Sequence, residues 1–233
     1  MPVYSMNLRC VWPLLAGLIL CSAVASAAET PRDKPAPNPA LAAIVDTPGL
    51  PRVLLLGDSI SIGYTLPVRA ALAGRANVHR PPVNCSSTGF ALAKIDAWLG
   101  RGSWAVIHFN FGLHDAKLPP EGVRHASPEQ YEKNLRQLVA RLRATGAKLI
   151  WATTTPVPNG GNLAPDRRFG DLAIYNAVAA RVMAENGVAT DDLAAVVAPH
   201  VDAERRPNDV HFTAAGSERL ARAVAESIAT ALR

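Results

Sequence analysis

The chain has 233 residues, 49% of them hydrophobic and 18% charged, which fits one globular domain with a full core rather than two. Its net charge of +5 is scattered, with no basic stripe interleaved with aromatics, and this argues against nucleic-acid binding. No internal period is visible, so a repeat architecture is not expected.

The N-terminal stretch reads as a targeting segment. Arg9 supplies a short positive start, Val11 to Ala25 carries no charge, and Ala25-Ser26-Ala27 offers a small-x-small cleavage site. Residues 1–27 are therefore expected to be a signal peptide, with the mature chain beginning near Ala28 in the periplasm or outside the cell. An uncleaved membrane anchor is the alternative, opposed by Pro13 and the small-residue tail. Cys10 and Cys21 fall inside this segment, which leaves Cys85 alone and no internal disulfide. Without a paired base nearby in sequence, Cys85 reads as a small packed side chain. Residues 28–51 carry Pro31, Pro35, Pro37, Pro39, Pro48 and Pro51 and are expected to form a linker of polyproline character. The domain proper is expected over residues 52–233.

From there strand and helix patterns alternate. Arg52–Leu56 is a short apolar strand, and a helix follows around Leu66–Ala73. Asn77–Arg80 is a weaker strand, Gly89–Leu99 an amphipathic helix, and Trp104–Phe111 a strong strand rich in β-branched and aromatic residues. Ser127 is placed to cap a helix that ends before Gly146. Lys148–Thr153 is a strand, Arg168–Glu185 a helix stopped by Gly187, Val188–Thr190 a last short strand, and Thr213 caps the closing helix. Trp98 and Trp104 sit where helix and strand should pack. Strands spaced by such helices imply βαβ crossovers. The expected fold is a three-layer α/β/α domain with a parallel sheet of about five strands in flavodoxin-like order.

In such a sheet, ligands bind at the carboxyl ends of the strands. Gly57-Asp58-Ser59-Ile60 lies at that end of the first strand, so Ser59 is presented at the mouth of a crevice. Serine needs a base to take its proton and donors to hold an oxyanion. Among six histidines, His211 alone has carboxylate and carboxamide groups two and three residues before it, Asp209 and Asn208. Either can orient its imidazole through Nδ1. Asp58 reads as a turn residue and Asp115 as a structural acid of its loop. Asp191-Asp192 reads as a helix N-terminus rather than a metal site. The Pro156–Arg168 loop, with Asn159-Gly160-Gly161-Asn162, is a surface excursion or a substrate wall. No metal-ligand spacing and no phosphate loop appear, and no cofactor is expected.

Four segments, Gly57-Asp58-Ser59, Gly89, Gly112-Leu113-His114-Asp115 and Asn208-Asp209-Val210-His211, occur in that order. Together they resemble the SGNH hydrolase family, the GDSL-type esterases and lipases, over nearly all of Arg52 to Arg233. The resemblance implies that Ser59 is the nucleophile and His211 the base, without a cofactor. It implies oxyanion donors at the backbone N–H groups of Ser59 and Gly89 and at the side chain of position 114. Two departures stand out. Position 114 is histidine where the family usually has asparagine; its preferred role is to replace the amide NH₂ with one N–H in one tautomer, the alternatives being a second base or a plain loop residue. Residue 208 is asparagine where the family has aspartate, so the acid is displaced to Asp209 or the orienter is uncharged; Asp209 is preferred because an uncharged orienter costs about 10⁴ in turnover in a serine protease.

The expected function is an exported serine esterase that removes small acyl groups, acetyl-type, from an ester or carbohydrate ester. A lysophospholipase or thioesterase for longer chains is the alternative within enzymes, and a non-catalytic binder of envelope glycans the alternative outside them.

Overall fold

Val53 and Leu55 point to one face of the first strand and Leu54 and Leu56 to the other, and all four are buried. A strand apolar on both faces must be covered on both, as in a parallel sheet between helix layers. That is what the computed structural model shows; it describes residues 1–2, 36–118, 125–163 and 167–233. Two compact units are present, Met1–Ala36 and Pro37–Arg233, and the sheet and its helices belong to the second. Apart from Met1 and Pro2, the expected signal peptide lies outside the described residues, as does the first part of the Pro-rich stretch.

In chain order the elements are β1 (Arg52–Leu56), α1 (Ser59–Ala71), β2 (Asn77–His79), α2 (Thr88–Leu92), α3 (Ile95–Leu99), β3 (Val106–Phe109), β4 (Lys117–Leu118), α4 (Pro128–Arg143), β5 (Lys148–Ala152), β6 (Asn162–Leu163), β7 (Arg167–Phe169), α5 (Leu172–Glu185), β8 (Ala189–Asp191), α6 (Leu193–Val197), α7 (Val201–Glu204) and α8 (Ala214–Ala231). The main sheet has five strands in the order β2-β1-β3-β5-β8, with every pairing parallel. This is the three-layer α/β/α fold with the expected flavodoxin-like order. Tyr64 and Val68 of α1 and Leu220, Val224 and Ile228 of α8 fill one side of the sheet. Leu135, Leu138 and Leu142 of α4 and Tyr175, Val182 and Met183 of α5 fill the other. Each such side chain contributes about 1.5–3 kcal/mol when removed from water.

Three expectations are corrected. The Pro-rich stretch packs from residue 37 onward: Ala40 is buried, Arg69 donates to the carbonyls of Pro39 and Ala42, and the Asn77 carboxamide bonds to Thr47 and Leu50. Asp46 pairs with both Arg52 and His79. The segment is thus tied to β2 through the side chains of Asn77 and His79. Second, the expected helix over residues 89–99 is two short helices separated at Ala93-Lys94, where the Lys94 N–H bonds three residues back to Ala91. Third, Arg168 lies in a strand. Asp171 caps α5 by accepting from the Ala173 N–H, and the residues before it form the hairpin β6–β7, extended by β4 into a small antiparallel sheet. Trp104 is buried as expected, with its indole N–H on the Leu99 carbonyl, while Trp98 is half-buried against Phe90.

The turn after β3 depends on Gly112. Its φ is +143°, and a Cβ there would lie 2.7 Å from Thr154 Oγ1. Gly112→Ala is therefore expected to destabilise the domain by about 2 kcal/mol or more, read as a lower midpoint in urea at unchanged m-value.

Candidate active site

Ser59 is the first residue of α1, and its N-terminal neighbour Asp58 caps that helix by accepting from the Ile60 N–H at 2.9 Å. The nucleophile candidate thus sits where backbone N–H groups lack intrahelical acceptors. Gly57 is required here for space rather than for its dihedral angles: a Cβ would come within 2.9 Å of Ser61 Cβ and Oγ. Beneath the turn, the buried Arg80 donates to Ser61 Oγ, Thr65 Oγ1 and the Gly57 carbonyl, and the Cys85 N–H reaches the same carbonyl at 3.1 Å. Asp58 is fully buried. Desolvation raises its pKa, against the opposing pull of His114, the Ile60 N–H, His211 and Arg80.

The loop between α7 and α8 brings His211 onto Ser59. His211 Nε2 lies 2.8 Å from Ser59 Oγ, and His211 Nδ1 lies 2.9 Å from Asp209 Oδ1. That same oxygen accepts from the Val210 N–H at 2.8 Å and from Arg167 Nη2 at 2.9 Å. Burial pushes the Asp209 carboxyl up, but the hydrogen bonds from Arg167 and His211 outweigh it and hold the pKa below its ordinary value. Asn208 points elsewhere. Its φ is +50°, and its Oδ1 accepts from Asn159 Nδ2 at 3.0 Å. Of the two orienter candidates, the geometry therefore brings Asp209 to the imidazole and not Asn208.

The other two segments meet on the same edge. Asp115 is buried and accepts from the Thr88 N–H with both oxygens at 3.1 Å and from the Thr88 hydroxyl, while Asn134 donates to that hydroxyl at 3.0 Å. Burial raises the Asp115 pKa to about 6, against those hydrogen bonds. This acid ties the turn before α2 to the loop after β3, and Gly89 follows Thr88 in the first turn of α2. His114 is half-buried, with Nδ1 3.3 Å from Ser86 Oγ. Desolvation lowers its pKa; Asp58 opposes this, and Lys117, His125 and His211 add to it. Asn110 donates to the Ala152 carbonyl and Thr154 Oγ1, and Tyr131 to the Phe111 carbonyl, so the 110–114 turn is braced from β5 and α4.

Ser59 and His211 line a cavity of about 370 Å³ together with Ile60, Ile62, Pro67 and Phe212, with Arg206 and Glu218 among its polar walls. The loop expected as a substrate wall lines a different cavity, of about 430 Å³, where Pro156 and Val157 face Leu172 and Ala173. Its hairpin instead reaches the histidine loop through Asn159 and Arg167. Cys85 is buried and its thiol is pushed up to about 11 by desolvation, which keeps it protonated at neutral pH. His108 is buried in β3 against Asp191 Oδ2 at 3.0 Å, so Asp191 serves the sheet, and Asp192 alone caps α6. Arg167, Arg80 and Ser86 escaped the sequence reading. Each acts on a partner distant in sequence and carries no motif of its own.

The profile of the GDSL-like lipase/acylhydrolase family matches residues 55–219. Similar solved structures include the lipase/acylhydrolase from Enterococcus faecalis, at 21% identity and a TM-score of 0.65, covering 77% of this chain and 95% of that one. They also include an acetylxylan esterase from Geobacillus stearothermophilus, at 21% identity and a TM-score of 0.63, covering 76% and 94%. Another acetyl xylan esterase aligns at 15% identity and a TM-score of 0.64, covering 76% and 99%. No curated protein matches the chain.

Proposed function

The chain belongs to the GDSL-like lipase/acylhydrolase family, a carboxylic ester hydrolase by that membership, and from this premise we propose an exported serine esterase that removes small acyl groups, acetyl above all, from carbohydrate esters. The observation that carries the mechanism is the unbroken contact chain Ser59–His211–Asp209. Ser59 Oγ attacks the ester carbonyl while His211 Nε2 takes its proton. Asp209 holds Nδ1–H and stabilises the imidazolium that forms. The backbone N–H groups of Ser59 and Gly89 and the side chain of His114 receive the oxyanion. His211 then returns the proton to the leaving alcohol, and a water activated by the same nitrogen releases the acid from the acyl-enzyme.

Two features support small acyl groups on a polar alcohol. The cavity beside Ser59 mixes apolar walls with Arg206, Ser217 and Glu218. Two of the similar structures are named acetyl xylan esterases. Export rests on the pattern of Arg9, the uncharged run to Ala25 and the Ala25-Ser26-Ala27 site. Hydrolysis of p-nitrophenyl esters from acetate to palmitate tests the acyl preference. kcat/KM is expected to be highest for acetate and to fall at least tenfold by octanoate. A preference for palmitate would overturn the small-acyl reading.

A further inference from the structure

Three non-glycine positions among the described residues hold a positive φ: Ser86 at 55°, Asn159 at 55° and Asn208 at 50°. Two are asparagines, the residue type that best tolerates left-handed backbone after glycine. Serine has no such tolerance, and glycine would fit position 86 without strain. The Ser86 backbone explains the turn but not the side chain: its N–H donates to Asn84 Oδ1 at 2.8 Å, which any residue there could do. What the serine adds is its hydroxyl. That hydroxyl lies 3.3 Å from His114 Nδ1 and has no other hydrogen-bond partner among the described residues.

Resting on the esterase reading above, we propose that Ser86 is a positioning residue whose hydroxyl donates a hydrogen bond to His114 Nδ1 and thereby keeps the imidazole proton on Nε2. Neutral imidazole carries one N–H and one bare nitrogen, and the bond made by one nitrogen sets the state of the other. With Nδ1 accepting from Ser86, Nε2–H is the donor left for the oxyanion. In the opposite tautomer Nε2 offers a lone pair, which repels the charge that develops on the substrate oxygen. An asparagine at position 114 would need no such partner, since its NH₂ donates in every state. The hydroxyl at 86 thus compensates for the histidine at 114. The charged and titratable groups facing His114 are Asp58 from the β1–α1 turn, His211 from the loop before α8, Lys117 of β4 and His125 before α4.

The test is Ser86→Gly, which relaxes the backbone while it removes the hydroxyl. The variant is expected to melt at or above the wild-type temperature, to lose about tenfold in kcat on p-nitrophenyl acetate, and to keep KM within about twofold. The loss is expected to shrink as pH falls through the His114 pKa, because imidazolium carries N–H on both nitrogens. In a His114→Asn background, Ser86→Gly is expected to change kcat by less than about twofold. Unchanged kcat in the single variant, or an equal loss in the asparagine background, would overturn the proposal. Nitrogen-15 shifts of the His114 ring report the tautomer without any turnover. Protonated Nε2 with bare Nδ1 in the wild type and a mixed state in Ser86→Gly are expected; a wild-type ring protonated on Nδ1 sinks the proposal even if no ester is cleaved. Absence of wild-type esterase activity counts separately, against the catalytic reading of the site.

Discussion

Ser59→Ala is expected to lower kcat on p-nitrophenyl acetate by about 10⁵-fold or more, with KM little changed and the fold intact. Among the described residues the hydroxyl makes one side-chain hydrogen bond, to His211 Nε2, and Ser59 is not part of the buried core, so its loss removes chemistry rather than structure. His211→Ala is expected to lose as much. The double variant is expected to lose no more than either single one, because nucleophile and base act as one unit. Steady-state rates with the purified variants, and circular dichroism to verify the fold, check this. Retention of more than about one percent of wild-type turnover by Ser59→Ala would mean that another group attacks. Cys85 is a poor substitute, since it is buried and its thiol is held up at about 11.

The second large effect belongs to Asp209. Asp209→Asn is expected to lower kcat by about 10³–10⁴, the scale on which a serine triad fails when its histidine loses a charged, correctly oriented partner. Asn208→Gly is the companion variant. Glycine keeps the left-handed backbone at position 208 while deleting the carboxamide, and turnover is expected to stay within about threefold of wild type. A large loss in Asn208→Gly with little loss in Asp209→Asn would mean that position 208, and not 209, orients His211. The acid's environment sets a pH window. Against burial, Arg167 and His211 hold the Asp209 carboxyl below its ordinary 3.8 in the folded state. A carboxyl depressed on folding contributes stability above its unfolded value and loses it as pH falls through the lower folded value. The stability that this carboxylate contributes is therefore expected to persist as pH falls to its ordinary 3.8 and to be lost only below it, read as the melting temperature against pH.

These residues differ in how visible they are in the sequence. Ser59 could be found because a buried strand and a tight turn precede it within a few residues. His211 could be found because its acid and amide neighbours are adjacent. The sequence favours Asp209 over Asn208 only through the general value of a charged orienter; which side chain reaches the ring is a tertiary matter. It depends on the positive φ of Asn208, which sends its carboxamide to Asn159 and leaves Asp209 beside the ring. Arg167 was invisible for a related reason. The sequence places it in a loop ahead of a helix, and only the β6–β7 hairpin carries it to the carboxylate 42 positions away. Ser86 lies 28 positions from His114 and looks like an ordinary loop serine until the two loops are folded onto one edge.

The continuous apolar run of β1 and the helix-length spacing between strands determined the layered parallel sheet. Burial on both faces of a strand leaves few other solutions. Local order also determined which loops share the reactive edge, because every crossover returns the chain to the same end of the sheet. Only the tertiary structure decided which atoms touch there. Contacts such as Arg167–Asp209, Ser86–His114 and Asn77–Thr47 join segments far apart in the chain, and hydrogen bonds turn on a few tenths of an ångström and on one backbone angle, neither of which is written in the spacing of residue types.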